Sequence, residues 1–316
     1  MNSPLVSVCI PCHNAAAYVG DAIQSILDQT WQSIEVIVVD DGSTDGSREV
    51  LQCYASDKVK IIRQDNQGQC AAANRAFSEA QGRLIKFFDA DDILSIETIE
   101  HQVRRLAERT DAIASAPWGR FYNNDISTFQ LNHQSVWRDL PTLSWLVEAW
   151  NDAHPMMQCG LWLIPREILD TSGGWDESLS LINDFEFFTR VLCHANHVLF
   201  VPEATLYYRS GLSSSLSGQK SRAAWESAFN SLMRGTSYLL ERQNDFQALR
   251  SCANILQNYV YSVYPDCPDL RFQATKRISE LGGSDLAMPA GPRLRAVQRL
   301  LGWKAAKRLQ LLTGRG

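Results

Sequence analysis

Residues 84–92 read Leu-Ile-Lys-Phe-Phe-Asp-Ala-Asp-Asp, an apolar segment that ends in three carboxylates within four residues. In open α/β sheets, ligands bind outside the carboxyl ends of the strands. Carboxylates crowded at such an end repel one another unless a cation lies between them, and oxygen ligands suit Mg²⁺ or Mn²⁺. The stretch therefore predicts a site for a metal-bound phosphorylated ligand. Taken alone, it also fits a solvated acidic turn in which Asp92 or Ser95 caps the next helix.

Short apolar runs alternate with helical periodicity around this stretch. Four runs are predicted to be strands: residues 5–10, 34–39, 59–62 and 84–88. Helical spacing of apolar residues lies between these runs, which gives the order β-α-β-α-β-α-β. This order predicts an α/β fold with a doubly wound, mostly parallel sheet, because parallel strands need crossover connections. A helical C-terminal extension is expected from three further helices, near 221–242, 246–262 and 292–313.

Composition and charge narrow the function classes. The chain has 316 residues, 45% of them apolar, which suffices for a sizeable core and for roughly two domains. A net charge of −5 argues against a protein that coats nucleic acid. Only Cys9 and Cys12 of the eight cysteines have C-x-x-C spacing, so we expect buried thiols in a reducing compartment. Because neither a signal peptide nor an apolar stretch of about 18 residues is evident, we expect a cytoplasmic protein.

The ends of three predicted strands carry polar residues that can bind a nucleotide. Pro11, His13 and Asn14 follow the first strand, Asp41 follows the second, and the acidic run follows the fourth. These ends lie side by side at one edge of a parallel sheet. The chain has neither a G-x-x-x-x-G-K-S/T loop nor a G-x-G-x-x-G loop after the first strand. We therefore expect a metal ion to neutralise a diphosphate, and Asp41 to bind a base edge or a ribose hydroxyl.

Four segments together resemble glycosyltransferase family 2. They are VSVCIPCHN at 6–14, SILDQT at 25–30, VVDDGSTD at 38–45 and FDADD at 88–92. The resemblance extends over about residues 5–210. It implies a GT-A fold and an inverting enzyme that transfers a sugar from a nucleotide-diphosphate donor, often UDP-linked, with Mg²⁺ or Mn²⁺ as the cofactor. The identity of the sugar does not follow from the resemblance.

The resemblance also assigns residues to the donor site. It implies nucleotide-sugar binding by seven residues: Pro11, His13, Asn14, Asp41, Gly68, Asn74 and Asp89. Within this set, Asp41 accepts a hydrogen bond from the base and Asp89 lies near the ribose. Asp91, the second acid of the D-x-D pair, is the implied metal ligand. Two alternatives remain, with Asn14 as the cap of the first helix and Asn74 as a packing residue.

A later segment contains the implied catalytic base and acceptor contacts. Residues 183–190, NDFEFFTR, resemble the family's Glu-Asp-x-Glu/Asp-Leu stretch and place Asp184 at the position of the base. A carboxylate there accepts the proton of the acceptor hydroxyl as that oxygen attacks the anomeric carbon. Contacts with the acceptor are implied for Trp175, Asp176 and Glu186. As alternatives, Asp184 caps its own helix and Trp175 belongs to the core.

The chain departs from the family pattern where a histidine usually ligates the metal. Residues 207–209, Tyr-Tyr-Arg, are followed by Ser-Gly-Leu-Ser-Ser-Ser at 210–215, without a histidine. Metal coordination is then expected to rest on Asp91 and the donor phosphates, with Arg209 or the serines at 210 and 213–215 contacting the diphosphate. The processive Gln-x-x-Arg-Trp signature is also missing from the sequence, so a polymerising synthase is not expected.

The domain organisation follows from these features. We expect a glycosyltransferase domain at 1–215, with a nucleotide-sugar half at 1–117 and an acceptor half at 118–215, and a helical extension at 216–316. Between 292 and 313 the extension carries six basic residues and no acidic residue, interspersed with leucines. A basic amphipathic helix of this kind indicates peripheral membrane contact, although a helix docked on its own domain fits the pattern equally well.

The expected function is the transfer of one sugar to a glycan or lipid-linked acceptor. A sugar-nucleotide pyrophosphorylase is one alternative, but it would need a Gly- and Arg-rich phosphate loop where this chain has Pro-Cys-His-Asn. A non-catalytic module that binds sugar nucleotides or glycans is the other alternative. The presence of four carboxylates at the implied site positions, Asp41, Asp89, Asp91 and Asp184, argues against such a module.

Overall fold

The computed structural model describes residues 3–212, 218 and 220–313. Its main sheet has five strands: β1 (Val6–Cys12), β2 (Ile34–Asp41), β3 (Val59–Gln64), β4 (Leu84–Phe87) and β10 (Ile164–Pro165). The spatial order is β10-β4-β1-β2-β3, and among these five the edge strand β10 alone runs antiparallel. The α/β fold with a mostly parallel sheet is therefore confirmed. β1 and β2 are buried along most of their length, which explains their continuous apolar runs.

The parallel strands open on one edge of the sheet. Four helices cross between them or follow them: α1 (Val19–Leu27), α2 (Ser47–Tyr54), α3 (Gln69–Glu79) and α4 (Thr98–Leu106). Cys12 of β1 pairs with Asp40 of β2, and Cys9 pairs with Phe87 of β4. The residues that follow these strands therefore meet at the same edge, and this edge positions the functional site.

The second half of the catalytic region adds two small sheets. One contains β6 (Ala112–Ser115), β11 (His197–Phe200) and β9 (Leu140–Pro141), in that spatial order. The other contains β5 (Ile93–Leu94), β12 (Leu206–Ser210), β7 (Trp118–Tyr122) and β8 (Asp125–Leu131), again in spatial order. Most of β8 is exposed, so its sequence lacks the alternation of apolar and polar residues that is typical of a half-buried strand. The β7–β8 hairpin is for this reason not evident from the sequence.

Three helices and a short turn connect these strands. They are α5 (Thr142–Ala149), a 3₁₀ turn (Cys159–Leu161), α6 (Arg166–Ser172) and α7 (Asn183–Leu192). α7 contains the segment that resembles the family's base-bearing stretch, and its first turn faces the edge described above.

The C-terminal part is helical, as the sequence predicts. It consists of α8 (Arg222–Arg242), α9 (Phe246–Val263), α10 (Pro268–Glu280) and α11 (Pro292–Leu312). α8 packs against α7, α9 packs against α5 and α8, and α10 packs against α9. The expected domain boundary at 215/216 lies outside the described residues.

α11 bends at Gly302, whose φ of 79° is left-handed, and it rests on the other C-terminal helices. Ala306 is buried, and the Trp303 ring lies 4.9 Å from that of Tyr261 and 5.3 Å from that of Tyr264. The docked arrangement that the sequence left open is therefore observed. Among the described residues, none of the helices has the length and apolar character needed to cross a lipid bilayer.

Candidate active site

A cleft of about 750 Å³ opens at the carboxyl ends of β1, β2 and β4. Eight predicted site residues line it: Pro11, His13, Asn14, Asp41, Gly68, Asp89, Asp91 and Asp184. The first seven come from strand ends and the start of α3, whereas Asp184 comes from the first turn of α7. Four predicted residues are not part of the lining: Asn74, Trp175, Asp176 and Glu186. The fold thus brings the predicted donor site and the predicted base into one cavity.

Three carboxylates crowd together after β4. One oxygen of each of Asp89, Asp91 and Asp92 lies within 4.8 Å of the other two. Burial raises the pKa of Asp91 to about 7, and the negative charge of Asp89 adds to the effect. Burial also raises the pKa of Asp89, and burial with the charges of both neighbours raises that of Asp92. Oxygen ligands gathered in this way fit a hard divalent cation such as Mg²⁺ or Mn²⁺.

Two glutamine side chains orient the acidic cluster. Gln158 Nε2 donates to Asp89 Oδ2 at 2.9 Å and to Asp92 Oδ2 at 2.6 Å. Gln69 Nε2 donates to Asp89 Oδ1 at 3.0 Å. Gln158 lies 69 positions beyond Asp89 in the chain and belongs to none of the motifs, so sequence reasoning missed it. Together these amides hold Asp89 and Asp92 in place and leave Asp91 as the least restrained member of the cluster.

Asp92 is buried against the strand that bears Arg209. Its Oδ1 accepts the backbone N–H of Arg209 at 2.8 Å, and its other oxygen accepts the amide of Gln158. The N-cap of α4 is Glu97, so neither Asp92 nor Ser95 caps that helix. The alternative of a solvated acidic turn is therefore wrong.

Arg209 brings a buried guanidinium to the cleft. Its Nε donates to the Asp91 carbonyl oxygen at 2.5 Å, and its Cζ lies 4.9 Å from the Tyr18 ring centroid and 4.7 Å from that of Phe121. Its Nη1 is buried and has no hydrogen-bond partner among the described residues. A buried cationic donor of this kind suits an anionic ligand. Ser210, which was also expected near the diphosphate, accepts a hydrogen bond from Arg120 Nη1 at 2.8 Å, and the serines at 213–215 lie outside the described residues.

Asp41 fixes the turn that precedes α3. Its Oδ1 accepts the side-chain amide of Gln64 at 2.7 Å and the backbone N–H of Gln67 at 2.9 Å. Its Oδ2 accepts the backbone N–H of Gly68 at 2.8 Å. An ionised carboxylate offers about four acceptor positions, so roughly one remains for a base edge. Gly68 has a φ of 95°, which glycine adopts without steric penalty, so the turn depends on this residue.

His13 and Asn14 join the loop after β1 to the loop after β2. His13 Nδ1 lies 2.9 Å from the Asp41 carbonyl oxygen, and Asn14 Nδ2 lies 3.1 Å from His13 Nε2. These contacts fit the tautomer in which Nδ1 carries the hydrogen. Asn14 Oδ1 accepts the backbone N–H of Thr44 at 2.8 Å. The N-cap of α1 is Tyr18, so the alternative in which Asn14 caps this helix is wrong.

Asp184 reaches the cleft from a turn that α8 holds in place. Burial raises its pKa well above the usual range, and the charge of Asp89 adds to the shift. The N-cap of α7 is Ile182, with a left-handed φ of 61°, so the alternative in which Asp184 is the cap is wrong. The Ser231 hydroxyl donates to the Ile182 carbonyl oxygen at 2.5 Å, and its oxygen accepts the backbone N–H of Glu186 at 3.1 Å. A serine of the C-terminal part therefore performs the capping that Ile182 cannot.

Comparison with known proteins places the chain in a family. A family model described as glycosyl transferase family 2 matches residues 7–173, slightly more than half of the chain. The chain belongs to glycosyltransferase family 2. The glycosyltransferase GlyG of Streptococcus pneumoniae is 38% identical over 128 residues, which are 40% of this chain and 42% of GlyG. A glycosyltransferase of Nostoc sp. is 46% identical over 106 residues, 33% of this chain and 32% of that protein. The matched region spans less than half of each relative.

Solved structures of other glycosyltransferases are similar to nearly the whole length of this chain. Residues 1–349 of S. aureus TarS, in complex with UDP-GlcNAc, match with a TM-score of 0.69 at 17% identity and cover 98% of this chain and 92% of that one. The mannosyltransferase PcManGT of Pyrobaculum calidifontis, in complex with GDP-Man and Mn²⁺, matches with a TM-score of 0.56 at 16% identity over 100% and 89% of the two chains. At these identities the similarity concerns the fold, and it confirms the GT-A architecture.

Two of the residues that resemblance to the family assigns to ligands pack inside the protein. The Trp175 ring is 6% exposed and stacks on Phe187 at a centroid separation of 3.9 Å. Asn74 Oδ1 accepts the Trp175 backbone N–H at 2.7 Å, and its Nδ2 donates to the Trp175 carbonyl and to Glu177, both at 2.9 Å. Trp175 therefore belongs to the core and Asn74 is a packing residue, because both make their contacts within the protein.

Two further residues assigned to the acceptor are engaged in ion pairs. The Glu186 carboxylate is bound by Arg190 Nε at 2.7 Å and by the Tyr238 hydroxyl at 3.0 Å, and the residue is 2% exposed. Asp176 pairs with Arg234 of α8. Neither residue lines the cleft and both carboxylates are engaged within the protein, so their assignment to acceptor contacts stays a prediction without support from their positions.

Proposed function

We propose that this chain is an inverting glycosyltransferase that moves one sugar from a UDP-linked donor to a glycan or lipid-linked acceptor. The observation that carries the proposal is the meeting of Asp89 and Asp91, two members of the acidic cluster, with Asp184 in one cleft. The negative charge of Asp89 contributes to the raised pKa of Asp184, in keeping with their position in the same cleft. A donor diphosphate and an acceptor hydroxyl need such neighbouring sites to react.

The donor assignment is supported by the ligands of structurally similar proteins. TarS has been solved with UDP-GlcNAc, and PcManGT with GDP-Man and Mn²⁺. In this chain, Pro11, His13 and Asp41 surround the space expected for the nucleoside, and one acceptor position of Asp41 is free for the base. Asp89, held by two glutamines, lies where the ribose is expected.

The carboxylates after β4 fit a divalent cation by their chemistry, since they are hard oxygen ligands that lie close together. Burial and the charge of Asp89 raise the pKa of Asp91, and a bound cation would compensate this crowding of negative charge. Asp91 would hold Mg²⁺ or Mn²⁺, and Asp89 would assist. A bound divalent cation supplies charge neutralisation for the departing diphosphate. Arg209, which precedes the position of the family's histidine, would contact the diphosphate instead, because its Nη1 has no hydrogen-bond partner among the described residues and can donate to a phosphate oxygen.

Asp184 acts as the general base. Its carboxylate accepts the proton of the acceptor hydroxyl as that oxygen attacks the anomeric carbon on the face opposite the diphosphate. One base suffices for inversion, and no covalent intermediate forms.

The experiment measures UDP release and sugar transfer from a panel of UDP-sugars, with and without Mn²⁺. Asp91→Ala should abolish metal-dependent donor binding in calorimetry, and release with it. Asp184→Asn should keep donor binding while transfer falls by roughly 10²- to 10⁴-fold. Asp57→Asn, at an exposed carboxylate in the turn before β3, serves as the control and should change neither. Full transfer by Asp184→Asn would show that the base lies elsewhere, and donor binding without metal would remove the role of Asp91.

The proposed setting is the inner face of a membrane, contacted by α11. Five leucines of α11 are exposed: Leu300, Leu301, Leu309, Leu311 and Leu312. Four exposed cations accompany them: Arg295, Arg299, Lys304 and Arg308. Leucines beside cations suit an anionic lipid surface.

Flotation with phosphatidylglycerol vesicles should therefore recover the protein at low salt, and the double substitution Leu300→Ser with Leu301→Ser should prevent this recovery. Phe272→Ser, at an equally exposed residue of α10, is the control. Equal flotation of both variants contradicts this role of α11.

A further inference from the structure

The cleft continues beyond the strand ends onto the C-terminal helices. Six residues of α8 and α9 line it, and we call them the α8–α9 wall: Trp225, Leu232, Ile255, Asn258, Tyr259 and Ser262. No member of the wall carries a charge. The strand-end side of the same cleft, in contrast, bears the acidic cluster and the buried Arg209. The cavity therefore has one strongly charged side and one neutral, aromatic side.

The wall is rigidly connected to the base-bearing turn. Ser227 Oγ of α8 accepts the backbone N–H groups of Ser180 and Leu181 at 2.7 and 3.1 Å. Ser231, one helical turn later, holds Ile182 as described above. The Tyr259 hydroxyl donates to the Trp225 carbonyl oxygen at 2.9 Å and so ties α9 to α8. Helices that line the cleft therefore also set the position of Asp184.

The backbone of this turn is strained at Ile182, a residue that lines the cleft. Ile182 is β-branched and has a φ of 61°, a conformation rare for such residues, yet its side chain is 40% exposed and lines the cleft. Strain of this kind persists where the surrounding structure enforces it and is frequent at functional sites. Here it displays an apolar side chain beside Asp184, between the base and the wall.

We propose that the α8–α9 wall is the acceptor subsite and that it binds a neutral saccharide. This inference rests on the proposed function and specifies its acceptor. The apolar face of a sugar ring packs against an aromatic ring such as Trp225, which is half-buried in the wall. The side-chain oxygen of Asn258 and the exposed hydroxyl of Ser262 provide polar atoms for sugar hydroxyls. Trp225 thus takes the role that the family resemblance had assigned to Trp175.

The charge distribution favours a neutral acceptor over the alternatives. An anionic acceptor would lie beside the carboxylates of Asp184 and Asp91 without a cationic partner from the wall. A lipid chain would leave the Asn258 side-chain oxygen and the Ser262 hydroxyl without a partner on binding, which is unfavourable, whereas Asn258 Nδ2 already donates to the Ala153 carbonyl oxygen at 3.0 Å. A neutral saccharide pairs with both the apolar and the polar members of the wall.

The test uses the full chain with Mn²⁺, a UDP-sugar that it hydrolyses, and methyl glycosides of neutral hexoses and N-acetylhexosamines as acceptor probes. UDP release above donor hydrolysis reports transfer. Trp225→Ala should raise the half-saturating concentration of the best methyl glycoside by about tenfold, whereas Trp225→Phe, which keeps a ring, should restore most of the affinity. Trp137→Ala is the matched control, because Trp137 is partly buried but stacks on Phe200 away from the cleft.

A second variant avoids dependence on the folding of Trp225→Ala. Ser262 is exposed in the cleft, so Ser262→Trp should fold and obstruct the wall without reaching the donor side. The calorimetric donor affinity, which depends on the strand-end side of the cleft, should stay unchanged in both variants, which separates this proposal from the proposed function. The proposal is overturned if both variants keep the acceptor half-saturation within about twofold. It is also overturned if no neutral glycoside stimulates release, or if a methyl glucuronide or an octyl glycoside binds better than its neutral or short-chain counterpart. Loss of donor hydrolysis in the unmodified protein would instead contradict the proposed function itself.

Discussion

Replacing Ser231 by alanine tests whether α8 holds the turn that carries the predicted base. The Ser231 hydroxyl makes two buried hydrogen bonds to this turn, at 2.5 and 3.1 Å. A typical intramolecular hydrogen bond contributes about 1 kcal/mol to stability, and the loss of a helix cap costs a similar amount. We therefore expect Ser231→Ala to lower the free energy of unfolding by about 2 kcal/mol, measured by urea denaturation.

The same substitution should affect turnover more than donor binding. The left-handed conformation of Ile182 costs about 1–2 kcal/mol, so the turn can relax once Ser231 no longer holds it. A displacement of about 1 Å in a reacting group lowers turnover by roughly 100-fold. We expect kcat for sugar transfer to fall by at least about tenfold, because Asp184 lies two residues from Ile182. The KM for the donor should change little, since the donor site is formed at the strand ends.

Ser237→Ala is the matched control for this experiment. Ser237 lies on the same helix, and its hydroxyl donates only to the Met233 carbonyl oxygen, at 2.9 Å within the helix. Its loss should change stability by less than about 0.5 kcal/mol and leave turnover unaltered. If Ser231→Ala loses no more stability and no more turnover than Ser237→Ala, α8 does not position the base and the reasoning is refuted.

Three further predictions concern stability and can be measured by urea denaturation. Ile182→Asn should raise the free energy of unfolding by about 1 kcal/mol, because asparagine tolerates the left-handed conformation; a loss would show that the turn is unstrained. Gly235→Ala should lower it by about 1–3 kcal/mol, since the added Cβ would lie 2.5 Å from the Phe185 ring; an unchanged value would mean that α7 and α8 can separate freely. Hydrogen bonds from Arg109 lower the pKa of Asp111 to about 2, so its stabilisation is complete above its unfolded-state pKa and is lost as the pH falls through 2. Asp111→Asn should therefore cost under about 1 kcal/mol at pH 7 and less at pH 2, where the carboxyl is partly protonated, and an equal cost at both values would exclude the ion pair as its source.

The main sheet and the donor side of the cleft were predictable because local sequence records them. β1, β2 and β4 are buried on both faces, which requires continuous apolar runs, and parallel topology then places the residues after each strand at one edge. The carboxylates at 89 and 91 meet the residues at 11 and 41 for this reason alone. The role of Asp184 could be predicted only from the family resemblance, because nothing in its local sequence distinguishes a catalytic base from a helix cap.

The remaining features depend on contacts that local sequence does not record. Gln158 binds Asp89 from a segment without a motif, and β8 is too exposed to show an apolar alternation. Trp175 was assigned to a sugar because an aromatic residue after two glycines looks the same in sequence whether it stacks on a ligand or on Phe187. Glu186 is similar, since only the fold reveals that Arg190 neutralises it.

The location of the α8–α9 wall has an evolutionary consequence. The part of the chain that matches the family ends at residue 173, whereas α8 begins at Arg222. Donor choice and acceptor choice would thus be encoded in separate stretches of one gene. Recombination between homologous genes downstream of residue 173 could then change the acceptor of such an enzyme in a single event while its donor site stays intact.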